Sequence, residues 1–415
     1  GSGGIPILLC WFSFAGFVPS FGMIAALLGA AIISIIVLAK FHRVPTIARP
    51  LTPKISRWEF FVLALAAIMI GLQLSAALAA ISMPMYSVDA VAIWGLKAKV
   101  VAAQPLLPRP DYFTDLSLNY SHLDYPLLVP FLLAGSYSAI GAVNDAWGKI
   151  VLLVPLIAMI ALLYSAVRDE LGRARSAILT AVAIAAPAVA FWAGRGGADV
   201  TLTGFIFAAS WSIMRWVRDQ QTGDAMTAGL FTAMAAFTKL EGGVLIVSTI
   251  AVATIAMLTM ARKNRQWVWG WIGFILSLGT ALGPWLLWSR GLPHTHENYG
   301  ARLTLANLWE HRGRFPDLAL TFASELKNWS YLGGVLLIAA AALIGWRGWG
   351  KPFILAGWAI VVAQMLAYVA VFLVTPWDPH ALILITASRL SLHVFPLAIL
   401  LAGLHWGCIR NEFEN

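Results

Sequence analysis

The sequence predicts an all-α protein, a polytopic transmembrane helix bundle of about 11 spans, each needing roughly 20 helical residues to cross the hydrocarbon core. Three observations carry that prediction. Of the 415 residues, 60% are hydrophobic and 11% are charged, against roughly half and a quarter in a soluble domain. Mean hydropathy is +0.80. Apolar runs of spanning length recur along the chain, and most Lys and Arg residues gather in the short segments between them. Lipid offers backbone groups no hydrogen-bond partner, so such runs must satisfy their N–H and C=O groups internally, as helices. The net charge of +9 therefore orients the chain in its bilayer and calls for no nucleic acid.

The elements follow in order. Residues 5–39 are too long for one upright helix and are interrupted at Pro19 and Ser20, which leaves either a hairpin of two spans or one span with a short flat helix. Residues 40–57 hold Lys40, Arg43, Arg49, Lys54 and Arg57 and no acid, so they are placed in the cytoplasm. Residues 58–81 then cross outward to a first external loop, 82–126, containing Asp89, Asp111, Asp115, His122 and Asp124. An odd number of crossings must separate Asp124 from the next cytoplasmic markers, Arg168, Arg173 and Arg175, yet two apolar segments lie between. Residues 126–142 are shorter and broken by Pro130, Gly135 and Gly141; they are assigned to the outer face, and 147–167 cross.

From there the alternation runs through 176–194, 200–217, 225–238, 243–260, 267–288, 329–344, 353–374 and 390–408. It leaves a second external loop over 289–328 and a third external stretch over 375–389. The whole, 1–415, reads as a single transmembrane domain with no separate soluble domain. No basic n-region with a cleavage site follows Gly1 to Gly4, so no removable signal peptide is expected. Cys10 and Cys408 lie in apolar runs near opposite ends of the chain and are read as packing residues.

This topology collects ionisable residues on one side, several of them at helix ends, where such a group in a membrane protein is a functional candidate. Asp89 opens residues 87–99, whose apolar spacing suggests an amphipathic helix flat on the outer surface; it serves as the helix cap or as a base. Asp124 precedes Tyr125 and a Pro-initiated helix, and capping competes with function there too. Asp199 follows Arg195-Gly196-Gly197-Ala198, so a local Arg195–Asp199 ion pair competes with a site role. Lys239 and Glu241 either neutralise each other or present an anion-binding lysine at a helix end. Arg389 offers a fork that matches phosphate oxygens, with snorkelling to the interface as the alternative. Lys97 adds positive charge in the first loop, while Asp378 and His380 are further candidates in the third stretch. In the second loop His294, His296, Glu297, His311, Arg312 and Arg314 have no regular ligand spacing, so no metal ligands are assigned, although a divalent metal is admissible. No Gly-rich nucleotide loop leads from a strand to a helix, which steers the substrate toward a lipid.

The pattern resembles the GT-C superfamily of integral membrane glycosyltransferases, in particular the branch of bacterial aminoarabinose transferase and the protein O-mannosyltransferases. The resemblance covers roughly residue 58 to the C-terminus. It rests on Asp89 in the first external loop, Asp124-Tyr125-Pro126-Leu127, Ala198-Asp199 at a helix start, Thr238-Lys239-Leu240-Glu241, and Arg389 with Pro396 downstream. It implies inverting transfer of a sugar from a polyprenyl-phosphate donor to an envelope glycan or lipid acceptor, at the periplasmic face of a bacterial inner membrane.

Asp89 matches the family's first-loop general base. Lys239 and Arg389, with Lys97 and Arg195 in reserve, would bind the donor phosphate. Asp124, Tyr125, Asp199 and Glu241 would orient the acceptor. The chain departs from the mannosyltransferases in having Ala90 after Asp89 in place of an Asp-Glu pair, and from the aminoarabinose transferases in lacking a large C-terminal periplasmic domain. Two rival classes are a secondary transporter, which expects midplane charges and internal repeats, and an O-antigen ligase or polymerase, which would lean on Arg and His in place of an early-loop Asp.

Overall fold

The computed structural model describes residue 7 and residues 55–103, 110–261, 264–294, 297–327 and 329–413. The expected N-terminal span or spans over 5–39, and most of the basic segment after them, lie outside the described residues. What is described is helices and turns, with no strand among the described residues.

Among the described elements the first in order, α1 (Arg57–Ile81), starts at a serine cap. Ser56 Oγ accepts from the backbone N–H of Glu59 at 3.0 Å, and Glu59 also places a negative charge on the positive end of the helix. A π-helix (Asp89–Gly95) runs into α2 (Leu96–Ala103), and α3 (Leu128–Ile140) packs against α2. At 13 residues α3 extends about 20 Å, short of the ~30 Å needed to cross upright. A 3₁₀ turn (Trp147–Leu152) leads into α4 (Leu153–Leu171). The next apolar segment is bent by 60° between α5 (Arg173–Ala185) and α6 (Pro187–Ala193), because Pro187 cannot continue the helix. Then come α7 (Asp199–Asp219), α8 (Thr222–Thr238), α9 (Gly242–Met260), α10 (Gln266–Ser289), α11 (Phe315–Leu326), α12 (Trp329–Ile344), α13 (Pro352–Val374) and α14 (Pro379–Phe413).

Each predicted apolar segment from residue 58 onward coincides with a helix. Seven of the described helices are long and apolar enough to cross a membrane, or eight with the bent α5–α6 pair counted as one span. α8 and α12, at 17 and 16 residues, are shorter than that criterion, and the expected span or spans over 5–39 lie outside the described residues, so the count among the described residues stays below the expected total of about 11.

At the centre stands α7, with 89% of its apolar window buried inside the protein, against 17% for α1. It packs on α4, α8, α13 and α14. α8 and α10 approach so closely that a Cβ added to Gly229 would stand 2.2 Å from the carbonyl oxygen of Phe274. The C-terminal ends of α1, α6 and α8 and the N-terminal ends of α7 and α9 meet at one end of the bundle, and the ionisable residues picked out in the sequence gather there.

Candidate active site

The innermost part of the site forms around Asp199, the first residue of α7 and only 4% exposed. The positive end of the helix favours a carboxylate at this position. Lys239, just beyond the end of α8, donates to Asp199 Oδ1 at 3.0 Å and pairs with Glu241 Oε1 at 2.8 Å. Burial alone would lower the pKa of this lysine, but the charges of Asp199 and Glu241 outweigh it and hold the ammonium above its ordinary value.

His393 Nε2 lies 3.3 Å from the same Asp199 oxygen, and its Nδ1 is 2.7 Å from the Tyr368 hydroxyl. Gln364 donates to that hydroxyl at 2.8 Å and to the Glu241 carbonyl at 3.0 Å. The chain of bonds assigns the imidazole tautomer: Gln364 donates to Tyr368, Tyr368 donates to Nδ1, and Nε2–H donates to Asp199. α7, α13, α14 and the α8–α9 turn are thereby tied together by one buried polar network.

Asp89 stands nearer the surface. Ser87 Oγ accepts from the backbone N–H of Ala90 at 3.3 Å, so Ser87 takes the capping role and the Asp89 carboxylate is left to pair with Arg389 of α14. The pair joins side chains 40% and 16% exposed. π-helical turns are rare and recur at functional sites; this one re-aims the start of the first-loop helix while Ile93 and Trp94 stay in the core.

Arg195 makes no ion pair with Asp199. Its guanidinium sits 3.6 Å from the centre of the Phe191 ring, 4.9 Å from that of Tyr86 and 5.3 Å from that of Trp192. Arg389 approaches the same Trp192 ring at 5.5 Å, so two guanidiniums flank one indole beside a carboxylate. In both arginines Nε is buried without a hydrogen-bond partner.

Lys97 is fully buried. Its ammonium donates to the carbonyl of His122 and, at 3.4 Å, to that of Tyr125, whose ring it overlies at 5.8 Å. Burial brings its pKa down to about 7, partly opposed by the charge of Asp124. His122, in the left-handed region at φ 52°, stacks its ring 4.5 Å from Tyr125, and burial lowers its pKa also. Asp124 does not cap α3; its Oδ2 lies 3.6 Å from His294 Nδ1 in the second loop. That loop is tied down by Glu297, which accepts from the Trp377 indole at 3.1 Å, and by Tyr299, 3.2 Å from the Thr375 hydroxyl. The structure thus gathers Asp89, Arg195, Asp199, Lys239, Glu241 and Arg389 at one end of the bundle, with Lys97, Asp124 and Tyr125 on its first-loop side. Asp378 and His380 are not part of it. His380 bonds to the Thr321 hydroxyl and to Asp378, and both are exposed at the start of α14, about 15 Å along the helix from Arg389.

Sequence reading did not single out His393, Tyr368, Gln364 or Trp192. The signal was present: Gln364 and Tyr368 are spaced i, i+4 inside an apolar span, and His393 lies four residues after Arg389, so each pair shares a helix face. Among the described residues, no group of three or more His, Cys, Asp or Glu side chains is placed to hold a metal ion. His296 of the second loop lies outside the described residues.

Residues 124–288 match the family model described as dolichyl-phosphate-mannose-protein mannosyltransferase. The crystal structure of ArnT from Cupriavidus metallidurans in the apo state superposes with a TM-score of 0.50 at 15% identity, over 82% of this chain and 59% of that one. The chain shares the fold of that structure. ArnT from the same organism bound to undecaprenyl phosphate gives 0.49 at 15% identity, over 84% and 60%. The chain therefore spans about three-fifths of the length of the ArnT chains it matches. No curated protein matches it. The matched stretch begins at Asp124 and takes in Asp199, Lys239 and Glu241, while Asp89, Gln364, Tyr368, Arg389 and His393 lie outside it.

Proposed function

We propose that this chain is an inverting glycosyltransferase that moves a sugar from a polyprenyl-phosphate lipid to an envelope glycan or lipid acceptor, working at the periplasmic face of a bacterial inner membrane. The observation that carries the reading is the pairing of the half-exposed Asp89 with Arg389, beside a second guanidinium, that of Arg195. Transfer from a phosphate leaving group needs a proton acceptor for the incoming hydroxyl and positive charge for the departing oxygen, and both are side by side here. The family model supports the donor class, since its description names a dolichyl-phosphate sugar.

In this mechanism the acceptor oxygen attacks the anomeric carbon while Asp89 takes its proton. The bond from that carbon to the phosphate oxygen breaks, and the polyprenyl phosphate leaves with the bonding electrons. A single displacement on one face inverts the anomeric centre. Arg389 and Arg195 receive the phosphate charge; the phosphate competes with Asp89 for Arg389, so donor binding frees the carboxylate to act. Lys239 is engaged by two carboxylates and only 5% exposed. Its part is to fix Asp199 and Glu241, with a long-range contribution to the positive field. Asp124, Tyr125 and Glu241 border the acceptor side, and Lys97 holds the backbone of 122–125 in place there.

The experiment is a transfer assay on the full chain in nanodiscs, using a panel of polyprenyl-phosphate sugars and total envelope lipid as acceptor. The reading requires lipid-dependent transfer with inverted anomeric configuration. Transfer from a nucleotide sugar without lipid, or with retained configuration, overturns it.

A further inference from the structure

Lys149 lies in the 3₁₀ turn before α4, is completely buried, and has no place in the mechanism above. Among the described residues no carboxylate stands within ion-pair distance of its ammonium. Its three protons go instead to three backbone carbonyls, those of Ala80 at 3.1 Å, Met83 at 2.8 Å and Gly194 at 2.9 Å. Ala80 is in the last turn of α1, Met83 lies two residues past its end, and Gly194 caps α6. Carbonyls at a helix C-terminus have no partner further along the helix and carry the negative end of the dipole. Two such ends converge on one cation. An apolar side chain of similar length would fill the space without desolvating a charge, but it would leave three carbonyls unpaired. Arginine cannot substitute well, because its planar fork does not aim three donors at oxygens that surround a point.

What the lysine joins gives it a consequence beyond packing. Met83 leads through residues 84–88 to Asp89, and Gly194 leads directly to Arg195 and on to Asp199. The two segments lie against each other at the lysine. A Cβ on Gly194 would be 2.2 Å from Ala80 Cβ. Gly196, at φ +84°, passes over the lysine stem, where a Cβ would be 3.0 Å from Lys149 Cδ and 3.2 Å from Met85 Cγ. The backbone on which Asp89 stands and the backbone on which Arg195 and Asp199 stand are thus referenced to the same nitrogen atom.

We propose that Lys149 is a positioning residue for the transfer reaction: it clamps the C-terminal ends of α1 and α6 and so fixes the separation between Asp89 and the segment carrying Arg195 and Asp199. The proposal rests on the reading of Asp89 and Arg195 as site groups. It differs from a purely structural role in what it predicts per folded molecule.

The test compares the full chain in nanodiscs with its Lys149→Met and Lys149→Arg variants, by hydrogen-exchange mass spectrometry and by transfer kinetics normalised to folded protein. The clamp predicts that both variants exchange faster in residues 82–88 and 194–198 together while α7 and α10 are unchanged. It also predicts that kcat falls about 100-fold, the scale expected of a roughly 1 Å misplacement of reacting groups, with a smaller change in KM for the lipid donor. Unchanged exchange in both segments, or a kcat per folded molecule equal to that of the parent, overturns it. Should Lys149→Met not fold, Lys149→Arg, which keeps the charge, is read alone by the same criteria. Should the parent protein transfer no sugar, the functional reading fails, and joint release of the two segments in exchange still decides whether Lys149 is the clamp.

Discussion

Asp89 and Arg389, 300 residues apart in the chain, form an ion pair at the mouth of the bundle. The pair joins the first described loop to the last helix, so the proposed proton acceptor and the proposed phosphate-binding guanidinium are held in mutual reach. The polar residues behind it form a second, drier layer around Asp199.

Removing the carboxylate charge while keeping its shape separates these roles. Asp89→Asn is expected to lower kcat by about 10²–10⁴-fold, the usual contribution of a positioned general base, and to leave binding of the lipid donor intact or tighter, because Arg389 loses its competitor. Transfer kinetics and direct binding of a polyprenyl monophosphate check the two halves.

The arginines are expected to show the opposite pattern. Arg389→Lys keeps a charge but loses the fork, and Arg195→Lys also gives up the stacking on Phe191 and Trp192. Each is expected to weaken polyprenyl phosphate binding roughly 10- to 100-fold, in line with the loss of a charge-assisted contact of about 1.5–3 kcal/mol. Equilibrium binding measured at two ionic strengths checks this.

The inner layer is structural as much as chemical. Lys239→Met would leave Asp199 buried with His393 alone for partner and is expected to destabilise the protein by about 3–5 kcal/mol. The double variant Lys239→Met with Asp199→Asn, which removes both charges, is expected to recover part of that loss. Thermal unfolding midpoints in detergent for the two single variants and the double variant give the coupling.

Lys97 predicts a pH dependence. Its folded pKa is pushed down to about 7 by burial, below the ordinary lysine value of 10.5. Between those two values the unfolded chain holds a proton that the folded chain has released, so stability rises as pH rises from about 7 toward 10.5. Below the folded pKa both states are protonated and this contribution is flat. Lys97→Met is expected to remove the rise, as read from unfolding midpoints over pH 6.5–9.5.

How much of this was legible in the sequence depended on whether the informative contact was local. Apolar runs report helices directly, because the requirement for internal hydrogen bonding in lipid is a property of each segment alone. The sidedness argument from Arg and Lys in short loops then placed Asp89, Asp199, Lys239, Glu241 and Arg389 in one neighbourhood, which is where their ion pairs put them. Partner choice was not legible. Arg195 lies four residues from Asp199, yet the carboxylate is taken by Lys239 and His393 from other helices, because α6 turns the arginine onto its own aromatic residues. Asp89 and Asp124 looked like helix caps; Ser87 and simple backbone geometry do that work instead. Lys149 was invisible, since its partners are carbonyls, which every residue carries and no side-chain pattern reveals.

In the proposed mechanism a lipid phosphate takes Arg389 and leaves Asp89 facing the reacting carbon. A cryo-EM structure of the full chain in nanodiscs with a bound polyprenyl monophosphate tests it most directly. The expected result is the phosphate within hydrogen-bond reach of Arg389 and near Arg195, with the Asp89 carboxylate no longer paired with Arg389. A phosphate bound elsewhere, with the Asp89–Arg389 pair intact, would contradict it.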